Sequence, residues 1–254
     1  MTPMRVRYFE SFTDDFVQSR HQEAQLPADY DWRERHPIVY AMFGRIVHGL
    51  ARIVYPMFFH GRVYGSEKVA NHAGGAYIFI NHTQPVGDVF LPYLLAGSRR
   101  VHPIVAAANL GVPIGGKLLR PAGALVLPNR LHQLGSFQVA MTARLAKGDM
   151  VVMYPEAHVW PYTTLIRPFA TGSVHYPAAD GRAVYTATTT YQPGRGRRPR
   201  MTVYVDGPFR ADMTQPLKIR QRLLRQQLMA AMQWRAAMNN TTTYITYRRK
   251  EVAP

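Results

Sequence analysis

Residues 76–88 read AYIFINHTQPVGD, and the interpretation of the whole chain starts from this stretch. Its first part, Ala76–Ile80, is a short apolar run of mostly aromatic and β-branched side chains, which is typical of a buried strand. A polar turn containing His82 follows at once, and Asp88 then opens a helical run. Because an α/β fold binds ligands beyond the ends of its buried strands, the pattern predicts a functional site in this turn.

Short β-rich runs alternate with helical runs in the rest of the chain. The predicted strands read AYIFI, VHPIVAAA, ALVL, MVVMY, AVYTATTTY and MTVYVDG. The predicted helices cover residues 88–95, 131–147 and 215–238, and the last is basic and amphipathic. This alternation indicates an α/β domain, a mixed sheet flanked by helices, to which we assign residues 74–254.

Residues 1–73 form the predicted N-terminal segment, which contains the most apolar stretch of the chain, PIVYAMFGRIVHGLARIVYPMFF, at Pro37–Phe59. A membrane-spanning helix needs about 20 predominantly apolar residues, and Arg45 and Arg52 would be costly in its centre. We therefore predict an amphipathic helix in the membrane interface. The alternative is a helix buried against the domain. Residues 1–30 contain no visible secretory signal.

The net charge is +16, from 31 lysines and arginines against 15 acidic residues. This surplus predicts a polyanionic partner: nucleic acid, anionic lipid or an acidic carrier protein. The absence of cysteine excludes disulfides, thiolate zinc sites and a cysteine nucleophile. A loop and the last helix each carry a basic group that could contact anionic headgroups or simply be solvated. These groups are Arg195, Arg197, Arg198 and Arg200 in the loop, and Lys218, Arg220, Arg222 and Arg225 in the helix.

His82 and Asp88 are a candidate catalytic pair. A reaction in which a hydroxyl group attacks needs a base that removes its proton, and histidine titrates near working pH. A carboxylate can hold the imidazole in the correct tautomer. Taken alone, however, the spacing fits a helix-capping aspartate beside a surface histidine better.

Several segments occur in the order found in a known family. They are Asn81-His82 with Asp88, GALVLPNR at residues 123–130, Tyr154-Pro155-Glu156, Arg167-Pro168-Phe169 with Gly172, and the apolar strand at residues 183–191. Together they resemble the four signature blocks of the glycerophospholipid acyltransferase family, whose best-known members acylate lysophosphatidic acid. The likeness extends over about residues 78–208.

This resemblance implies a glycerol-3-phosphate acyltransferase-like fold and a role for each matching residue. His82 is the expected general base, and Asp88 is expected to orient it. Glu156 is expected at the acceptor site, and Arg130 at the acceptor phosphate. The alternative phosphate contacts are Arg120, Lys117 and Arg167.

The implied reaction is direct transfer of a fatty acyl group from acyl-carrier protein (acyl-ACP) or acyl-coenzyme A (acyl-CoA) to a lysophospholipid. No metal, cofactor or covalent acyl-enzyme is expected. The expected acceptor is 1-acyl-sn-glycerol-3-phosphate, which would become phosphatidic acid. The expected location is the cytoplasmic face of the cell membrane, peripheral or monotopic, with an anionic membrane surface as partner and no nucleic acid.

The chain departs from the family pattern at three points. Five residues separate His82 from Asp88 where the family has four, and Gly87 is expected to absorb the extra residue through backbone angles that favour glycine. The third block continues Ala157-His158-Val159 instead of Gly-Thr-Arg. Arg130 stands one place later than the arginine of the second block.

Other functions fit part of the same pattern. The acceptor could be another lipid or a glycolipid, and His158 and Trp160 could line its pocket or only fill space. A basic nucleic-acid-binding module fits the charge and the 15 tyrosines, although the chain contains no known motif of that kind. A thioesterase using His82 to activate water, or an inactive membrane scaffold, also fits. The Gly-x-Ser-x-Gly elbow of many hydrolases is absent.

Overall fold

A computed structural model describes residues 5–17, 24–33, 37–111, 115–170, 172–194 and 198–250. Within these ranges the helices are α1 (Pro37–Phe59), α2 (Ser66–Ala70), α3 (Gly87–Leu95), α4 (Gly115–Leu119), α5 (Leu134–Ala146), α6 (His175–Asp180) and α7 (Leu217–Asn239). The strands are β1 (Arg5–Phe9), β2 (Arg62–Tyr64), β3 (Ala76–Ile80), β4 (Val101–Val105), β5 (Leu125–Val126), β6 (Met150–Met153), β7 (Val184–Gln192), β8 (Arg200–Phe209) and β9 (Ile245–Arg249).

Seven of the described strands form one sheet in the order β2-β8-β7-β3-β6-β4-β5. Neighbouring strands are parallel except for β7 and β8, which are antiparallel. The carboxyl ends of β7, β3, β6, β4 and β5 therefore lie at one edge of the sheet, here named the carboxyl edge. The prediction of a mixed α/β sheet is confirmed.

Strand β3 lies near the centre of this sheet and is buried at every residue. Tyr77 and Phe79 point into the apolar cluster that contains residues of α5 and α7. Ile78 and Ile80 point to the other face, into the cluster that contains residues of α1 and α3. Because successive side chains of a strand alternate between faces, a strand covered on both sides must be apolar throughout. The unbroken AYIFI run has this cause.

Helix α1 has the predicted bounds and packs on α3 with only part of its surface. Ala51 and Tyr55 are its buried residues among those described. Its exposed face, by contrast, consists of large apolar side chains that are at least half exposed. They are Ile38, Val39, Met42, Ile46, Leu50, Ile53, Met57 and Phe58. The structure thus shows a helix laid on the domain and not buried in it.

In the part of the chain that the structure describes, α1 is also the one helix long and apolar enough to cross a membrane, over Ile38–Phe59. Length and composition alone do not distinguish a spanning helix from one that lies in the interface.

A separate two-stranded sheet joins the N-terminal and C-terminal parts of the described chain. Strand β1 pairs in parallel with β9, from Arg5 opposite Ile245 to Phe9 opposite Arg249. The sequence pattern predicts neither strand. The proposed domain boundary after residue 73 stays a prediction, although β2, on its N-terminal side, pairs with β8 in the main sheet.

Other differences from the predicted elements are local. Strand β5 has two residues where ALVL predicts four, and a 3-10 turn at Leu131–Gln133 precedes α5. Helices α2, α4 and α6 have five or six residues, too few to show a helical period.

The described residues of the two basic groups lie on the surface or near it. Helix α7 is confirmed, and it buries Leu224, Leu228 and Met232. Its Lys218 and Arg222 are exposed, while Arg220 and Arg225 are partly buried. In the loop, Arg198 is exposed and Arg200 begins β8; Arg195 and Arg197 lie outside the described residues.

Gly75, directly before β3, tests the packing at the start of the central strand, and Gly135 in α5 gives the comparison. A Cβ at Gly75 would lie 2.2 Å from the Leu145 carbonyl oxygen, so the backbone must shift to accommodate the methyl group in Gly75→Ala. We expect this variant to lower the free energy of unfolding by about 1–3 kcal/mol. At Gly135 in α5 a Cβ meets nothing within 4 Å. Gly135→Ala should therefore raise the free energy of unfolding by about 0.4–1 kcal/mol. Urea unfolding measures both, and equal effects would contradict this packing.

Candidate active site

His82 and Asp88 meet in the turn at the carboxyl end of β3. His82 Nδ1 lies 2.8 Å from Asp88 Oδ2. The backbone N–H groups of Thr83 and Gln84 donate to the same oxygen at 3.0 and 2.9 Å. Because an ionised carboxylate only accepts, Nδ1 carries the proton and Nε2 holds the free lone pair. Asp88 is buried, whereas the His82 side chain is 20% exposed, so Nε2 is the nitrogen that a substrate can reach.

The extra residue between His82 and Asp88 is accommodated without unusual backbone angles at Gly87. Gly87 begins α3, and its φ lies outside the positive range that favours glycine. The expectation of a glycine-specific conformation is therefore wrong. A Cβ there would lie 3.2 Å from Gln84 Cβ and 3.6 Å from Phe59 Cε1, so the close packing of α3 against the turn and α1 favours a residue without a side chain.

Glu156 follows β6 and is hydrogen-bonded to the backbone of His82. Its Oε2 accepts the His82 backbone N–H at 3.2 Å and the Arg167 guanidinium at 2.9 Å. Its Oε1 accepts the Arg167 backbone N–H at 2.8 Å. Both side chains are almost completely inaccessible to solvent. Burial raises the pKa of Glu156, and the charge of Arg167 opposes that shift. This buried pair thus holds the His82 backbone.

Tyr154 packs directly on the imidazole. Its ring stacks on that of His82 with centroids 4.2 Å apart and an interplanar angle of 29°. Its hydroxyl donates to the Asp88 carbonyl oxygen at 2.5 Å. Burial raises the pKa of Tyr154 well above its usual value, so the phenol stays a donor. Sequence reasoning did not assign it a role; the available signal was an aromatic residue directly after β6.

A second buried tyrosine, also without a role in the sequence analysis, holds the turn. The Tyr191 hydroxyl lies 2.6 Å from Thr83 Oγ1 and accepts from Gln84 Nε2 at 2.6 Å. Burial raises the pKa of Tyr191 well above its usual value. The neutral hydroxyl therefore accepts from Gln84 and shares a second hydrogen bond with the Thr83 hydroxyl.

A second His–Asp pair occurs at the opposite edge of the sheet, at the amino ends of β4 and β6. His102 Nε2 lies 3.0 Å from Asp149 Oδ2, and its Nδ1 lies 2.7 Å from the Gly123 carbonyl oxygen. Both ring nitrogens therefore have partners, and the side chain is 2% exposed. Unlike His82, this histidine has no nitrogen left for a substrate.

The predicted phosphate contacts are dispersed. Arg130 follows β5 at the carboxyl edge, where it is exposed and donates to Gln25 Oε1 at 3.3 Å. Arg120 precedes β5; it donates to the Asp31 carbonyl oxygen at 3.0 Å and lies over the Tyr30 ring. Lys117 is exposed on α4. Of the proposed substrate contacts, the structure joins only Glu156 and Arg167 to His82.

The two residues beside Glu156 are engaged within the protein. Trp160 is fully buried. His158 Nδ1 lies 3.8 Å from Asp15 Oδ2. In the described residues, no three His, Asp or Glu side chains cluster in a way that could hold a metal ion.

At the carboxyl edge of the sheet, His82 is thus partly accessible and hydrogen-bonded to a buried aspartate, an arrangement that suits a general base acting on an alcohol or water. A sequence model of the family described as Acyltransferase matches residues 60–189, about half of the chain. The chain therefore belongs to this acyltransferase family.

The solved structures include a protein of similar fold. It is the 1-acyl-sn-glycerophosphate (LPA) acyltransferase PlsC from Thermotoga maritima, which superposes with a TM-score of 0.56 at 12% sequence identity. The match covers 79% of this chain and 84% of that one. No curated protein sequence matches the chain.

The buried ion pair gives a test of stability with a defined pH dependence. Arg167→Met leaves the Glu156 carboxylate buried without its cation, and we expect a loss of about 3–5 kcal/mol near neutral pH. Because burial raises the pKa of Glu156, the folded state binds its proton more tightly than the unfolded state. Stability from this group is therefore present at low pH and is lost as the pH rises through the folded pKa. Arg167 opposes the rise in the pKa of Glu156, so without it the pKa rises further, and the loss in Arg167→Met should shrink toward acidic pH.

Urea unfolding at about pH 5 and about pH 8 measures this effect. The control is the double variant Glu156→Gln/Arg167→Met, which has no carboxylate to protonate. It should be more stable than Arg167→Met at pH 8 and should lack this pH dependence. A loss in Arg167→Met that is the same at both pH values would contradict the expectation.

Proposed function

We propose that the protein transfers a fatty acyl group from acyl-ACP or acyl-CoA to the hydroxyl of 1-acyl-sn-glycerol-3-phosphate, giving phosphatidic acid. Membership of the acyltransferase family supports the reaction class. The acceptor is supported by the fold shared with the LPA acyltransferase of Thermotoga maritima. The net charge of +16 suits an anionic acceptor, an acidic carrier and an anionic membrane.

The hydrogen bond between His82 Nδ1 and Asp88 Oδ2 carries the proposal. His82 Nε2 takes the proton of the acceptor hydroxyl while the hydroxyl oxygen attacks the thioester carbonyl carbon. The new C–O bond forms, the C–S bond breaks, and the imidazolium protonates the departing thiolate. Asp88 keeps Nδ1 protonated and stabilises the imidazolium. No covalent acyl-enzyme forms.

Arg130 is the proposed contact for the acceptor phosphate, because it is exposed at the same sheet edge as His82. Lys117 and Arg120 are the alternatives. For Glu156 and Arg167 we propose support of His82 in place of contact with the acceptor, because they are buried and bonded to each other.

We also propose that the exposed face of α1 lies in the interface of the cytoplasmic leaflet, as a peripheral or monotopic contact. Without such a contact, eight large apolar side chains on one helix would be exposed to water. Arg45 and Arg52 are exposed on the same helix and suit anionic headgroups. Phe59, its last residue, packs near Gly87, so the interface would lie close to the His82 turn.

The first test is acyl transfer by purified protein with lysophosphatidic acid in vesicles and a labelled acyl-CoA or acyl-ACP. We expect His82→Ala to lower the rate by about 10²–10⁴-fold with folding retained, because a positioned general base contributes this much. Asp88→Asn should also cause a large loss, with little change in vesicle binding.

The matched control is Asp149→Asn, which alters the buried His102–Asp149 pair and should retain the parental rate per folded molecule. Labelled phosphatidic acid that is lost in His82→Ala supports the proposal. Free fatty acid formed with or without an acceptor would indicate a thioesterase. Vesicle binding without transfer to any lysolipid, from either donor, would indicate a scaffold.

Two substitutions on the exposed face of α1 test the membrane contact. Ile46→Asp and Ile53→Asp should each weaken binding to anionic vesicles by about tenfold or more, because burying such a side chain contributes about 1.5–3 kcal/mol. Vesicle sedimentation measures the change. Val139→Asp, at an exposed apolar position on α5, is the control and should bind like the parent. Unchanged binding of both α1 variants would refute the assignment.

A further inference from the structure

Trp160 lies between His82 and the two ends of the described chain. Its backbone N–H donates to the His82 carbonyl oxygen at 3.1 Å, and its indole Nε1–H donates to the Asp14 carbonyl oxygen at 2.8 Å. The rings of Phe9 on β1 and Tyr247 on β9 lie 4.8 Å from the indole. We name residues 5–17 and 245–249 the terminal clasp. The clasp holds the ring, while the backbone of the same residue holds His82.

Trp160 also contacts the buried ion pair. The Arg167 guanidinium lies over the indole, with Cζ 4.7 Å from the ring centroid. Arg167 Nη2 donates to Glu156 Oε2, which accepts the His82 N–H. Trp160 therefore fixes both backbone polar groups of His82: the carbonyl directly, and the N–H through Arg167 and Glu156.

The loop that carries Trp160 does not hold this shape by local preference. Ala157 and Tyr162, on either side of it, have φ values of 65° and 58°. Such values are unfavourable for residues with a Cβ and persist only where surrounding contacts impose them. Tyr162 N–H bonds to the Thr83 carbonyl oxygen at 2.9 Å, and the terminal clasp packs around Trp160. These contacts define the loop.

We propose that Trp160 and Arg167 are positioning residues for His82, and that the terminal clasp fixes them. This inference rests on the proposed function, in which His82 Nε2 is the base. Both residues are buried and act through the His82 backbone, so they affect the placement of the imidazole and not substrate binding. A misplacement of about 1 Å can lower a rate about a hundredfold. The effect should therefore appear in kcat and not in KM.

The experiment compares the same substitution at two buried tryptophans. Trp32 resembles Trp160 in burial, and its Nε1–H also donates to a backbone carbonyl, that of Val126, at 2.8 Å. We expect Trp160→Leu to lower kcat by about 10–100-fold with KM within about twofold, while Trp32→Leu keeps the parental kcat. Trp160→Phe, which keeps a ring against Arg167, should recover most of the loss.

Phe16→Leu tests the clasp from its own side. Phe16 meets the Trp160 ring edge-on at 5.1 Å and the Tyr247 ring at 5.2 Å. This variant leaves the loop sequence intact, so it still tests the proposal if Trp160→Leu does not fold. We expect a smaller fall in kcat and again an unchanged KM.

Hydrogen exchange of the His82 amide supplies a readout that does not depend on activity. The amide should exchange faster in Trp160→Leu and Phe16→Leu than in the parent, and at the parental rate in Trp32→Leu. Equal kcat and equal His82 exchange in the parent, Trp160→Leu and Phe16→Leu would overturn the inference while leaving the proposed function standing. If the parent transfers no acyl group, the proposed function fails, and the exchange rates alone decide whether Trp160 positions His82.

Discussion

The carboxylate of Glu156 has been removed from water, and a charge in that position is stable only when it is paired and hydrogen-bonded. Arg167 supplies the charge and two N–H donors, and the backbone of His82 supplies a third. The two carboxylate oxygens of Glu156 thereby connect the end of β6 with the turn after β3 and with Arg167 in the loop that follows Glu156. These connections bring the candidate base to a fixed place at the sheet edge.

The two His–Asp pairs show why the same side chains differ in what they can do. His102 has both nitrogens bonded inside the protein, so the pair joins β4 to the start of β6 and to Gly123, two residues before β5. His82 bonds to its aspartate through one nitrogen only and is partly open to solvent. A substrate can therefore approach a ring nitrogen of His82, whereas both ring nitrogens of His102 are already bonded within the protein.

The parts of the fold set by local pattern could be predicted from the sequence. The AYIFI strand, the bounds of α1 and the buried stripe of α7 follow from unbroken or periodic apolar residues. The resemblance also placed His82 and Asp88 in one turn. Pairing between distant segments could not be predicted, because β1 and β9 are short and nothing near either one encodes its partner.

The same limit applied to the site. Arg167 and Glu156 were both identified as functional residues, but their bond to each other depends on how the intervening loop folds back. Gly87 was selected for its backbone freedom, whereas the structure favours it for its small volume. Tyr154 and Tyr191 act through contacts with the turn that only the assembled sheet edge creates.

The pairing of β1 with β9 also sets an order of events during synthesis. Strand β1 leaves the ribosome before every other described element, and its partner is the last one to be made. The rings that enclose Trp160 therefore cannot assemble until residue 249 is free of the exit tunnel. The nascent chain can form most of the central sheet earlier, but the surroundings of His82 are completed only after translation has passed the final strand.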